Sequence, residues 1–283
     1  MNFNMNQNKP VIALLGAGSM GCAIAKRIGA NKTILLGDIS EKNLEERAKE
    51  LRTGGYIVET QQVDACDVSS VRAFAQKAAL LGSVRYFIDT AGASPNQAAP
   101  EHIIKLDLIG TAIAIDEFAK VIAEGGAGLV ISSQTGYMMH LAPEVENQLA
   151  LTPTKDLAEL ECVKKDAMAN SGAAYIIAKR ANHVRVRTAA ATTWGDAHAR
   201  INTISPGVIV TPLAYDEFNA AGDSYQQMID ASPARRVGTP EEIAAAGAFL
   251  LSDEAGFITG TDLLIDGGVI AAIESGRYSL TIR

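Results

Sequence analysis

The chain has 283 residues, with 25 Lys and Arg against 32 Asp and Glu, for a formal net charge of −7. At roughly 100–200 residues per domain that length allows one large domain or two small ones. A composition 48% hydrophobic and 20% charged excludes a disordered chain. The acidic balance argues against a nucleic-acid partner, which needs a basic face to displace counterions. No apolar run approaches the roughly 18 residues of a membrane span. Cys22, Cys66 and Cys162 are scattered, with neither a disulfide framework nor a C-x-x-C spacing, and point to reduced thiols in the cytoplasm.

After a polar tail at 1–9, short β-branched apolar runs fall at 11–15, 33–36, 56–60, 86–88 and 129–132. Helix-length stretches with helical apolar spacing lie between them, at 41–52 and 71–80. The pattern continues with a helix over 173–193, a strand over 201–205, a helix over 240–251 and a last strand over 262–266. Thr239-Pro240-Glu241-Glu242 opens its helix with an N-cap Thr, Pro at the first position and Glu at the third. Alternating strands and helices of this kind predict an α/β fold, a Rossmann-type doubly wound parallel sheet of seven strands in a single domain.

Gly16-Ala17-Gly18-Ser19-Met20-Gly21 follows the first strand and opens a helix. In that setting one glycine permits a tight turn, a second lets backbone approach a pyrophosphate, and the third lets helix and strand pack closely. The helix N-terminus adds unpaired N–H groups. Asp38 ends the second strand, 22 residues after Gly16. There a carboxylate can bond both hydroxyls of an adenine ribose and repel a 2′-phosphate, favouring NAD, while Lys42 leaves NADP open.

Tyr175 and Lys179 lie four apart in the helix over 173–193 and so share one face. A neighbouring ammonium favours phenolate and fits the phenol for acid–base work. Ser132-Ser133 and Pro206-Gly207 each follow a strand, at the carboxyl edge where such sheets bind ligands. None of the histidines His102, His140, His183 and His198 has metal-ligand spacing, so no metal is expected; they read as surface or structural residues, with His140 alone near the pocket.

These pieces occur in a telling order. Asp67-Val68 follows the third strand, Asp89-Thr90-Ala91-Gly92 the fourth, and Pro206-Gly207-Val208-Ile209-Val210-Thr211 the sixth. Arg236-Val237-Gly238-Thr239-Pro240, Thr259-Gly260 and Asp266-Gly267-Gly268 complete the set. From residue 10 to 268 the chain resembles the short-chain dehydrogenase/reductases. That resemblance implies hydride transfer between nicotinamide and a carbonyl or secondary alcohol carbon. Tyr175 would be the acid–base group, Lys179 would bind the nicotinamide ribose and lower the tyrosine pKa, and Ser133 would hold the substrate oxygen. Asp67 and Val68 would flank adenine, and Val208 and Thr211 would hold the carboxamide. Gly16, Gly18, Ser19, Met20, Gly21, Asp38, Ile39, Ala91, Gly92, Pro206 and Gly207 would complete the cofactor contacts. The resemblance also implies a homodimer or homotetramer.

The chain departs from the family pattern in four places. Its loop is G-x-G-x-x-G, its fourth strand ends in Asp-Thr-Ala-Gly where the family has Asn-Asn-Ala-Gly, and Asp107 stands where an Asn relay residue is usual. An anion at Asp107 would favour the Lys179 ammonium and move the activity optimum to higher pH. Ser133 and Tyr175 are 42 residues apart, so a long insertion lies over 137–172. Within it 156–169 reads as an amphipathic helix carrying Leu157, Leu160, Val163, Ala167 and Met168. Two readings stay open: a cover over the substrate hinged near Tyr137, Met138, Met139 and Leu141, or material at a subunit contact. The segment 213–231, with Tyr215, Phe218, Tyr225 and Met228, resembles a mobile piece that closes over substrate, and the tail at 269–283 reads as material that could pack on a neighbouring subunit. The expected partner is an uncharged, fairly apolar carbonyl or alcohol compound. The competing functions are an epimerase or dehydratase with tightly held NAD, and a dinucleotide-binding regulator without turnover.

Overall fold

The strands β1 (Pro10–Leu15), β2 (Thr33–Asp38), β3 (Ile57–Gln62), β4 (Ser83–Asp89), β5 (Ile122–Ile131), β6 (Arg200–Pro206) and β7 (Asp262–Ile265) form one parallel sheet. They run in the order β3-β2-β1-β4-β5-β6-β7, in a computed structural model that describes residues 9–96, 98–211 and 223–279. This is the seven-stranded doubly wound sheet expected from the alternation of strands and helices. The chain winds outward from β1 to β3 and then crosses back to β4, so the winding reverses between β1 and β4. A crevice opens at that point beyond the carboxyl ends of the strands.

Both faces of the sheet are buried because successive side chains of each strand point to opposite sides. In β1, Val11, Ala13 and Leu15 join one core cluster while Ile12 and Leu14 join the other. The first cluster is aromatic. Phe87 stacks on Phe118 with ring centres 3.9 Å apart, and the Trp194 indole N–H donates to the Ile115 carbonyl at 3.1 Å. Helices α1 (Ser19–Ile28), α2 (Glu41–Thr53) and α3 (Val68–Leu81) link the first four strands. Then follow α4 (Pro100–Ile103), a π-helical stretch at Ile104–Gly110, α5 (Thr111–Ala119), α6 (Pro143–Leu151), α7 (Ser171–Ala191) and α8 (Thr193–Asp196). The chain ends through α9 (Asp223–Ala231), α10 (Pro240–Leu251) and α11 (Val269–Glu274). The Thr239 capping box forms as its spacing predicts, with Thr239 Oγ1 and the Glu242 carboxylate each accepting the other's backbone N–H.

The insertion differs from its expected form. Its α-helix is α6, while 156–169 is not one amphipathic helix but a run of 3-10 turns, Thr154–Glu159, Glu161–Val163 and Lys165–Ala167. Leu160 and Lys164 interrupt them with extended backbone, at ψ 132 and 149. Leu157, Leu160 and Val163 recur every third residue, which suits a three-residue turn better than the 3.6-residue period of an α-helix. Leu149, Leu157, Val163 and Met168 form a third core cluster with Ile103, Ile104, Leu108 and Ala112 and with Ala174, Ile177, Ala178, Ala181 and Val184 of α7. Polar contacts seal this seam. Arg180 pairs with Glu146 at 2.6 Å, and Arg185 donates to the carbonyls of Leu149 and Thr152. The tail beginning at 269 folds back on its own chain: Asp266 accepts from the N–H groups of Gly268 and Ile270, and Val269, Ile270 and Ala272 are buried. Tyr215 and Phe218 lie outside the described residues.

Candidate active site

A cleft of about 500 Å³ opens where the winding reverses. Its floor is the glycine loop. Gly16 sits at φ +85, and a Cβ there would come within 2.5 Å of the Ala91 nitrogen. Around a Cβ on Gly18 nothing lies within 4 Å, leaving room for a ligand against the backbone, and α1 begins there without a side-chain cap. A Cβ on Gly21 would meet Thr90 Oγ1 at 2.6 Å and Leu14 Cδ1 at 2.7 Å, so this glycine serves helix–strand packing. Thr90 Oγ1 donates to the Gly16 carbonyl at 2.6 Å, tying the end of β4 to the loop. This open, uncapped cradle fits the pyrophosphate of a dinucleotide.

Asp38 holds the adjoining wall. One oxygen accepts from the Ala17 N–H at 2.9 Å and from Asn43 Nδ2 at 3.0 Å; the other accepts from the Ser40 N–H at 2.9 Å. Gly16, Gly18, Ser19, Met20, Asp38, Ile39, Ala91, Gly92 and Thr211 all line the cleft. Asp67 and Val68 do not. Asp67 caps α3, accepting from the Ser70 N–H at 2.7 Å, and Val68 is an exposed residue of the first turn. The wall expected of them is built by the residues just before, Val63 to Cys66. Gly207 and Val208 line a separate hollow of about 180 Å³, and Pro206 ends β6 beside it. Asn43, Arg47, His102 and Lys105 also line the main cleft. His102 is exposed, as expected, and it also lines the cleft. Asn43 was legible as the first-turn amide five residues after Asp38; His102 and Lys105 carry no comparable signal.

The Tyr175–Lys179 helix lies beside this cleft. Lys179 Nζ is 5.2 Å from the centre of the Tyr175 ring and 2.9 Å from Asp107 Oδ1. The π-helical stretch carries Asp107, whose other carboxylate oxygen accepts from the Ala93 N–H at 3.0 Å. A Cβ on Gly92 would come within 2.7 Å of Asp107 Oδ1, so the missing side chain makes room for the ion pair at the cleft wall. Ser132 Oγ donates to the Lys179 carbonyl at 2.9 Å. Ser133 is the N-cap of the turn Gln134–Tyr137, and its Oγ accepts from the Thr135 N–H. Gly136 of the same turn packs on the Lys179 backbone, so serine loop and lysine are held together.

Burial opposes the charge on Lys179, but the carboxylate of Asp107, with Tyr175 and Asp89 adding to it, outweighs burial and holds the ammonium above its ordinary pKa. Burial pushes Asp89 up to about 7, with the Ala91 N–H and Lys179 pulling the other way and Asp107 adding to the rise.

Behind the serine loop is a network that sequence reasoning did not assemble. The Tyr137 hydroxyl donates to Asp262 Oδ2 at 2.6 Å, Ser205 Oγ donates to Asp262 Oδ1 at 2.9 Å, and His183 Nε2 lies 2.7 Å from Ser205 Oγ. With the serine hydrogen directed to Asp262, the Nε2 proton of His183 donates to Ser205. Burial lowers His183 to about 4 against the opposing pull of Asp262, so the ring is neutral. His183 follows Lys179 by one helical turn, which was the available signal.

Among the described residues no group of His, Cys, Asp and Glu could hold a metal, and no helix is long and apolar enough to cross a membrane. The family model described as Enoyl-(Acyl carrier protein) reductase matches residues 138–270. The chain is 38% identical to Short-chain dehydrogenase/reductase bsc3 of Alternaria brassicicola, over 96% of this chain and 100% of that protein. It is 28% identical to the NADP-dependent mannitol dehydrogenase of Hypocrea jecorina, over 90% and 85% of the two chains. A short-chain dehydrogenase/reductase structure from Serratia marcescens superposes with a TM-score of 0.72 at 22% identity, covering 94% of this chain and 99% of that one. With its sheet order, glycine cradle and Tyr–Lys helix, the chain belongs to the short-chain dehydrogenase/reductases, oxidoreductases that use NAD or NADP.

Proposed function

We propose that the protein is a dehydrogenase or reductase that interconverts a secondary alcohol and a carbonyl in a small uncharged molecule. The observation that carries this reading is the buried Lys179, 5.2 Å from the Tyr175 ring and bonded through its backbone carbonyl to Ser132, next to Ser133. Tyr175 exchanges the proton of the substrate oxygen, Lys179 favours the phenolate, and Ser133 Oγ fixes the substrate oxygen. The glycine loop, with Asp38, Ile39, Ala91, Gly92 and Thr211, would hold the dinucleotide, which when bound supplies or accepts the hydride.

The cofactor preference we propose is NAD. Asp38 presents a carboxylate where a 2′-phosphate would sit, against which Arg47 places one cation on the same wall, ion-paired with Glu50 at 3.1 Å. The exposed Phe249, Phe257 and Leu263, on and around α10 and β7, supply apolar surface for self-association into a homo-oligomer.

A Tyr175→Phe variant tests the reading. Turnover of carbonyl and alcohol panels is expected to vanish while fluorescence titration still shows dinucleotide binding. Turnover undiminished in the variant would overturn it.

A further inference from the structure

Asp89 ends β4, the central strand, and its carboxyl is buried. It accepts from the Ala91 N–H at 3.0 Å, and Ala91 and Gly92 line the dinucleotide cleft. The charged groups acting on it are Lys179 from α7 and Asp107 from the π-helical stretch. Its neighbours in register on β1 and β5, Leu15 and Val130, are apolar. One ammonium thus serves two buried carboxyls, and Asp107 already neutralises it at 2.9 Å. An ionised Asp89 leaves the cluster with a net negative charge in a low-dielectric site, beside a cleft that fits a dinucleotide.

We propose that Asp89 makes the site discriminate between the oxidation states of the nicotinamide, ionising to favour the cationic oxidised ring and taking up a proton when the neutral reduced ring is bound. This rests on the dehydrogenase reading above. The two forms of the dinucleotide share the same phosphates, ribose and adenine, so the difference in their binding isolates the ring charge. Burial raises the Asp89 carboxyl to about 7 against the Ala91 N–H and Lys179, which brings the discrimination within a usable pH range. The ionised carboxyl attracts the cation and gives the neutral ring no such advantage. Binding of NAD+ therefore releases a proton that binding of NADH does not.

The test is the ratio of the NADH to the NAD+ dissociation constant, measured by calorimetry from pH 6 to pH 8 in buffers of different ionisation enthalpy. The ratio is expected to rise about tenfold over that range, the change that a one-unit shift of a single carboxyl produces. In Asp89→Asn, which keeps the acceptor for the Ala91 N–H, the ratio becomes independent of pH. In Asp107→Asn, Lys179 has Asp89 as its nearest anion, so the rise moves to lower pH. His102 also lines the cleft, so His102→Gln serves as control and is expected to keep the rise. A pH-independent ratio in the wild-type protein, or a rise that survives Asp89→Asn or disappears in His102→Gln, would overturn the inference while leaving the dehydrogenase reading intact. Failure of both dinucleotides to bind would overturn the two together.

Discussion

Replacing Asp107 with Asn tests how charge is set at the Tyr175 phenol. The 2.9 Å from Asp107 to Lys179 and the 5.2 Å from Lys179 to the ring, laid end to end, put the carboxylate within about 8 Å of the ring. At an effective dielectric near 20, a unit charge at about 8 Å is worth roughly 2 kcal/mol, or about 1.5 pKa units. The anion disfavours phenolate, so its removal makes the phenolate easier to form. Asp89 remains near Lys179 and restores part of the lost negative charge, which reduces the expected effect to about one unit. Asn keeps an oxygen for Lys179 but turns its NH2 toward the Ala93 N–H, so the stability loss approaches the ~3–5 kcal/mol of stripping one partner from a buried pair. The assay is kcat/KM for alcohol oxidation against pH, whose acid limb reports the free enzyme's base. That limb should move down by about one unit. A limb that stays in place or moves up, in a variant whose circular dichroism shows a folded protein, would refute the charge argument.

Gly16→Ala places a Cβ 2.5 Å from the Ala91 nitrogen at φ +85, so melting should show a loss of about 1–3 kcal/mol, and dinucleotide affinity should fall at least about tenfold. For Asp89 the folded pKa of about 7 exceeds the unfolded value near 3.9, so its contribution is intact below about pH 4 and is lost as pH rises through 7. Asp89→Asn does not titrate, and its stability in urea unfolding should gain on the wild type by an amount that grows by about 3 kcal/mol from pH 5 to pH 8. Leu157→Ala, within the third core cluster, should cost about 2–5 kcal/mol in urea unfolding; a cost well below 1 kcal/mol would mean that the insertion is not part of the core. Tyr137→Phe leaves Asp262 Oδ2 without its buried donor and should cost about 1–3 kcal/mol by the same measurement.

What the residues announced most clearly were the features governed by local period and by covalent simplicity. The continuous apolar run of β1 and the capping box at Thr239 depend on neighbours a few positions away, so local sequence specifies them. The glycine loop was legible for the same reason: a positive φ at Gly16 and a crowded Cβ site at Gly21 admit few other side chains. Asp67 shows the limit of pattern matching. An Asp ending a strand segment and an Asp capping the next helix look alike in sequence, and here the cap took it, leaving Val63 to Cys66 as the wall. The insertion misled for a related reason. Apolar residues at every third position satisfy a 3-10 turn and approximate an α-helix, and only the packing against α7 distinguishes them.

The electrostatics of the site were partly legible and partly not. The aspartate at 107 announced a charge near Lys179, and the structure brings the two to 2.9 Å. That Asp89 belongs to the same cluster depends on three elements meeting: the end of β4, the π-helical stretch and α7. Separately, Asp107 reads as a charge at a relay position and Asp89 as a lost amide at the end of a strand. Together they leave one lysine to balance two buried carboxyls, and a buried charge without a full partner must either accept a proton or attract a cation. A nicotinamide ring gains and loses its positive charge in each turnover of the reaction proposed here. The two aspartates, taken together, therefore suit the site to sense which form of the cofactor is bound.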